Sequence, residues 1–183
     1  CFMLHRVIAA MAAQNSKRHC SANGTDAAGQ HEAFLVGSKD TSTRQQLGLL
    51  TRVSPQQPLR HDTTRLHFPV PGSSCGAHRI RRKTSGVSKH FWTVLSVGGE
   101  DILLVAAHLK AAPNKPRACA QREAQARVLA GLVRREGFES GRHVLLMGDF
   151  NDFDGNSTTV DVSGNMPRSD VLRTLTQDLG LSQ

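Results

Sequence analysis

Residues 144–152 read VLLMGDFND. Val144, Leu145, Leu146 and Met147 are large and apolar and Gly148 is uncharged, so the run has no polar interruption. A run of that length without alternation predicts a short strand covered on both faces. Gly148 ends it and Asp149 opens a loop, so the strand delivers Asp149, Asn151 and Asp152 to the carboxyl end of a sheet. In α/β sheets that end is where ligands gather. A carboxylate and a carboxamide two residues apart suit gripping a metal-bound phosphate or activating a water. The same residue types also favour plain turns, where their side chains bond nearby backbone.

Upstream, residues 101–110 read DILLVAAHLK. This predicts a second apolar strand over 102–108, ending in His108 with Lys110 just beyond. Residues 91–97, FWTVLSV, are β-branched and aromatic and predict a strand as well. Gly98-Gly99 between the two makes them an antiparallel hairpin. Trp92 in that strand either stacks on a base or fills the core, the core being the commoner place for a lone Trp. Pro113 and Pro116 fix the path after Lys110. Residues 117–135 then predict a long amphipathic helix with Ala124, Val128, Leu129 and Leu132 inward, ended by Gly137 and Gly141.

His-Leu-Lys-Ala at 108–111, Arg122-x-x-Gln125 on the following helix and GDFND at 148–152 together resemble the endonuclease/exonuclease/phosphatase superfamily. Deoxyribonuclease I, neutral sphingomyelinases, inositol-polyphosphate 5-phosphatases and deadenylase nucleases belong to it. The resemblance covers about residues 86–154. It implies an α/β fold, a four-layer α/β sandwich with two mainly antiparallel sheets between helices, and metal-dependent hydrolysis of phosphoesters or phosphodiesters. It implies catalytic roles for His108, Asp149 and Asn151. Asp149 would orient or deprotonate the attacking water and hold the metal, Asn151 would contact the scissile phosphate, and His108 would contact phosphate or act as an acid. Lys110 and Arg122 would bind substrate by neutralising phosphate, and Arg122 also suits supporting the site through hydrogen bonds from the helix. The implied cofactor is Mg2+, with Mn2+ as the alternative. Such chemistry needs an aimed water, charge neutralisation on the phosphoryl oxygens and a proton for the leaving oxygen. A histidine with an ordinary pKa of about 6.5 suits contact or proton donation.

The chain also departs from that family. There, an Asn on the first strand and a Glu after the second place the metal, and an Asp-His pair near the carboxyl end completes the site. Glu32, in HEAFL, lacks the family's Gln-Glu setting, and Ser169-Asp170 is followed by Val171 rather than His. Asp40 falls near the position of a family loop acid, though a turn-forming Asp gives the same pattern. The expectation is a single partial domain over 1–183, incomplete at both ends. By itself it would be inactive, while the complete protein would be a Mg2+-dependent hydrolase.

A length of 183 residues suits one domain with a substantial core. The net charge of +8 points to an anionic partner: nucleic acid first, phospholipid or inositol phosphate as alternatives. HRIRRK at 78–83 is the densest basic run, either phosphate-contacting or simply solvated. Alternatives to a nuclease are a sphingomyelinase or phosphoinositide phosphatase of the same superfamily, or a noncatalytic basic module that binds phosphate. The four cysteines, Cys1, Cys20, Cys75 and Cys119, show no C-x-x-C pair or zinc spacing. They read as free thiols or packing residues, with a disulfide left open. No apolar run approaches the roughly 18–20 residues of a transmembrane segment. Residues 1–13 predict a core helix rather than a signal peptide, because Arg6 interrupts the apolar stretch. Residues 33–36, 46–52 and 64–68 predict short strands, and 170–179 a short final helix.

Overall fold

The computed structural model describes residues 18–19, 31–37, 45–76, 80–112, 114–152 and 169–181. The architecture is mixed α/β. Its central sheet has the order β6-β7-β8, made of β6 (His90–Val97), β7 (Glu100–His108) and β8 (His143–Asp149). β6 and β7 are the expected antiparallel hairpin. Gly98 and Gly99 turn it at φ 63° and 89°, where a residue without Cβ meets no steric penalty. β7 and β8 run parallel, which requires a crossover. Helix α1 (Pro116–Glu136, 21 residues) supplies it. Proline at its start loses no intrahelical bond, and Arg134 and Arg135 in its last turn complement the helix dipole.

Side-chain alternation along β7 sorts the core into two halves. Leu103, Val105 and Ala107 pack with Val128, Leu129, Leu132 and Val133 of α1, and with Val171 and Leu175 of α2 (Val171–Thr176). Leu104 and Ala106 join Phe91 on the opposite face, against Val36 and Leu47. Those two residues belong to a second antiparallel sheet of β1 (Arg18–His19), β2 (Glu32–Val36) and β3 (Leu47–Thr51). The described residues thus stack as helices, sheet, sheet. The core helix expected over 1–13 lies outside the described residues, as does Asp40. A small sheet of β4 (Leu66–Phe68) and β5 (Lys83–Ser85) flanks α1. Beneath it Phe68, Val70, Ala120 and Ala124 form a satellite core. β5 grows out of the basic run, whose Arg81 and Arg82 are exposed. Among the described residues no helix is long and apolar enough to cross a membrane.

Two expectations need correction. β8 is not covered on both faces. Val144 and Leu146 pack on the helix side, whereas Leu145 and Met147 are 45% and 38% exposed. An uncharged run does not say whether a second layer reaches it, and among the described residues the β1–β3 sheet covers β6 and β7. Cys75 and Cys119 are not free thiols. They form a disulfide across 44 residues of sequence, because the loop after β4 folds onto the start of α1. Trp92 takes the commoner of its two expected places, buried in the core with the Arg60 guanidinium 5.5 Å from its ring centroid.

Candidate functional site

The parallel register of β7 and β8 ends with His108 opposite Asp149. The strands come close there because Gly148 sits opposite Ala107 at φ 145°. A Cβ at that position would overlap the Ala107 backbone. His108 Nε2 lies 3.7 Å from Asp149 Oδ2. His108 is half-buried and its backbone N–H donates to the Lys89 carbonyl at 2.9 Å, while Asp149 is open to solvent.

The GDFND loop folds back on itself. Asn151 N–H donates to Asp149 Oδ1 at 2.9 Å, and Asn151 takes φ 53°, a left-handed conformation that asparagine tolerates better than most residues. The Asn151 carboxamide Nδ2 then donates to the Leu109 carbonyl at 3.0 Å, and Leu109 N–H donates to the Asp149 carbonyl at 2.9 Å. With Nδ2 committed, the amide oxygen is the group's remaining acceptor. His108, Asp149 and Asn151 therefore share one strand-end site, with Lys110 exposed two residues beyond His108.

Helix α1 buttresses this site from behind. Arg122 is fully buried and its Nη1 donates to the Lys110 carbonyl at 3.2 Å. Burial pushes the guanidinium pKa down, opposed by the carboxylates of Asp152 and Glu123. Asp152 in turn accepts from the Ser169 hydroxyl, tying the loop to the start of α2. A guanidinium so enclosed holds the backbone at Lys110 in place. Gln125 is the residue sequence reasoning left out of the site. Its Oε1 accepts from Lys110 N–H at 2.9 Å and its Nε2 donates to the Gly86 carbonyl at 3.1 Å. The available signal was spacing, because positions three apart on a helix share a face, so Gln125 faces wherever Arg122 does.

The donor set for a cation here is small. Asp149 offers one exposed carboxylate, and among the described residues no group of three or more His, Cys, Asp or Glu side chains converges at the strand ends.

No protein-family model matches the chain, and no curated protein does. Among solved structures, a β-hairpin deletion mutant of beta toxin from Staphylococcus aureus aligns with a TM-score of 0.33 and 16% identity. The alignment covers 47% of this chain and 29% of the toxin chain, so it spans less than a third of that protein.

Proposed function

We propose that this chain belongs to a metal-dependent phosphodiester hydrolase, with nucleic acid as the favoured substrate. The observation that carries the reading is the pairing of His108 with Asp149 at adjacent parallel strand ends, with Nε2 and Oδ2 3.7 Å apart. Groups that act in one reaction must converge. Asp149 takes the proton of a water aimed in line at phosphorus. His108 and Asn151 bear on the phosphoryl oxygens as charge builds there, and the departing oxygen takes its proton from solvent. Bonding water's oxygen to phosphorus while the bond to the departing oxygen breaks gives a phosphomonoester and an alcohol. A magnesium ion on Asp149 would neutralise phosphoryl charge. Arg122 and Gln125 act at one remove, by fixing the backbone that carries Lys110. The net charge of +8 favours a polyanion over a neutral headgroup.

The test uses the complete protein on single-stranded DNA, RNA, a choline phospholipid and an inositol phosphate, with magnesium and with chelator. The reading expects magnesium-dependent cleavage of a nucleic acid that Asp149→Ala abolishes. Chelator-insensitive turnover refutes the metal. Cleavage of lipid or inositol phosphate alone moves the substrate class. Phosphate binding without turnover in any arm leaves the noncatalytic basic module.

A further inference from the structure

The satellite core beside α1 holds chemistry that phosphodiester hydrolysis does not use. The Cys75–Cys119 disulfide is buried there, and a carboxylate oxygen of Glu123 lies with both sulfurs in a group whose members are all within 4.8 Å of one another. Glu123 is itself only 2% exposed. Its Oε1 accepts from Ser74 N–H at 3.2 Å, from the Ser74 hydroxyl at 2.7 Å and from Asp170 N–H at 3.3 Å. Its Oε2 is buried and has no hydrogen-bond partner among the described residues. A buried carboxylate oxygen without a donor is costly unless another positive group meets it.

We propose that reduction of the Cys75–Cys119 disulfide opens a metal site in which both thiolates and the Glu123 carboxylate bind one zinc-class divalent cation. The reductant is a dithiol. Its two thiols become a disulfide and pass two electrons and two protons to the cysteines as the S–S bond breaks. Binding of the cation then releases the two thiol protons to solvent as two metal–sulfur bonds form. Zinc takes sulfur at about 2.3 Å and carboxylate oxygen at about 2.0–2.2 Å, so donors sharing one ion stand less than about 5 Å apart. The Glu123 oxygen is within that reach of both sulfurs, and breaking the S–S bond frees the sulfurs to part to the roughly 3.8 Å that two thiolates on one tetrahedral ion require. Cys119 and Glu123 are four residues apart on α1 and so lie on one helix face, while Cys75 approaches from the facing loop with its Cα 5.6 Å from that of Cys119. A water completes a tetrahedron.

Charge and surroundings agree with this. Two thiolates and a carboxylate around a divalent ion leave one negative charge, and the buried Arg122 guanidinium is within electrostatic reach of Glu123. Phe68, Val70, Ala120 and Ala124 keep the pocket apolar, which favours metal–thiolate bonds over hydrated ions. The cation would replace the covalent tie between α1 and the facing loop. The helix that carries Arg122 and Gln125 would then stay seated in both oxidation states.

The experiment uses the complete protein with Cys1→Ser and Cys20→Ser, and with any cysteines beyond this sequence replaced, so that Cys75 and Cys119 are the sole sulfur donors. The protein is reduced with a phosphine and titrated with Cd2+ while the sulfur-to-cadmium charge-transfer absorption is read. The proposal expects one Cd2+ per chain, displaced by Zn2+, and no band in the oxidised protein. Glu123→Gln should weaken binding at least about tenfold, since even outer partners of metal ligands are worth that much. A reduced, folded protein without the band overturns the site, and so does a Glu123→Gln variant that binds as tightly as its parent. If reduction alone lowers the helical circular dichroism, Cd2+ restoring it in the parent but not in Cys119→Ser supports the site. Failure to restore it overturns the proposal.

Discussion

The Asn151 side chain reaches across two strand ends, its Nδ2 donating to the carbonyl oxygen of Leu109 at 3.0 Å. One carboxamide thus joins the GDFND loop to the HLK segment. Asn151→Ala removes that tie and places alanine at φ 53°. The expected stability loss is about 1–2 kcal/mol, and turnover should fall by about 10²–10³-fold. Asn151→Gly relieves the backbone strain without restoring the amide. It should recover much of the urea midpoint and none of the activity, and recovery of both would remove Asn151 from the site.

Asp149→Ala separates chemistry from folding. The carboxylate is 52% exposed and among the described residues it accepts a hydrogen bond only from the Asn151 N–H, so thermal stability should move by less than about 1 kcal/mol. Magnesium-dependent hydrolysis in the complete protein should drop by about 10²–10⁴-fold. A folded variant with activity within about tenfold of wild type contradicts the role given to this residue.

Gly148→Ala has the opposite profile. A Cβ there runs into the Ala107 backbone at a φ of 145°, and neither strand yields without breaking the β7–β8 ladder. A loss of roughly 3 kcal/mol or more is expected, read by denaturant unfolding. A soluble variant of near-normal stability would mean the strand ends do not approach as described.

Arg122 and Lys110 should part company in salt titrations. Arg122→Ala strips a buried donor from the Lys110 carbonyl and should cost about 2–4 kcal/mol of stability. Polyanion binding by the surviving folded fraction should keep its dependence on salt, because a buried guanidinium releases no counterion. Lys110→Ala should leave stability nearly unchanged and lower the salt slope by about one phosphate contact. The reverse pattern would make Arg122 a phosphate ligand.

His90 gives stability a pH dependence of known sign. It is almost fully buried, and its Nε2 accepts from Asp62 N–H at 2.7 Å. Burial, and then the neighbouring His61, hold its pKa below the ordinary histidine value, while the Asp62 carboxylate pulls the other way. Below about pH 6.5 the unfolded chain takes up a proton that the folded chain refuses, so this contribution is complete above that pH and is lost as pH falls toward the folded value. The urea midpoint should decline between pH 7 and pH 5, and His90→Asn should flatten part of that decline. An unchanged slope would place the titrating group elsewhere.

The parts of this fold that were legible in the sequence are those fixed by local rules. The Gly98-Gly99 turn, the α1 stripe of Ala124, Val128, Leu129 and Leu132, and two strands that deliver His108 and Asp149 to one sheet edge all follow from spacing and turn chemistry. What escaped depends on partners distant in sequence. The exposure of Leu145 and Met147 is decided by how far a separate sheet extends, and the Cys75–Cys119 bond by a loop folding onto a helix. Gln125 was visible as a motif letter. Its clamp on Lys110 N–H required knowing where the chain after β7 runs.

The β7–α1–β8 crossover also orders events in time. The β6–β7 hairpin closes through two glycines and can form within about 1–10 μs. Leu109 and Asn151 are 42 residues apart, and their contact forms only once the intervening helix has docked and β8 has found its register. A folding chain with its hairpin made and its crossover open carries His108 with no carboxylate opposite. Recovery of catalysis during refolding should therefore lag recovery of β-structure, and a nick between α1 and β8 would silence the site while leaving the hairpin whole.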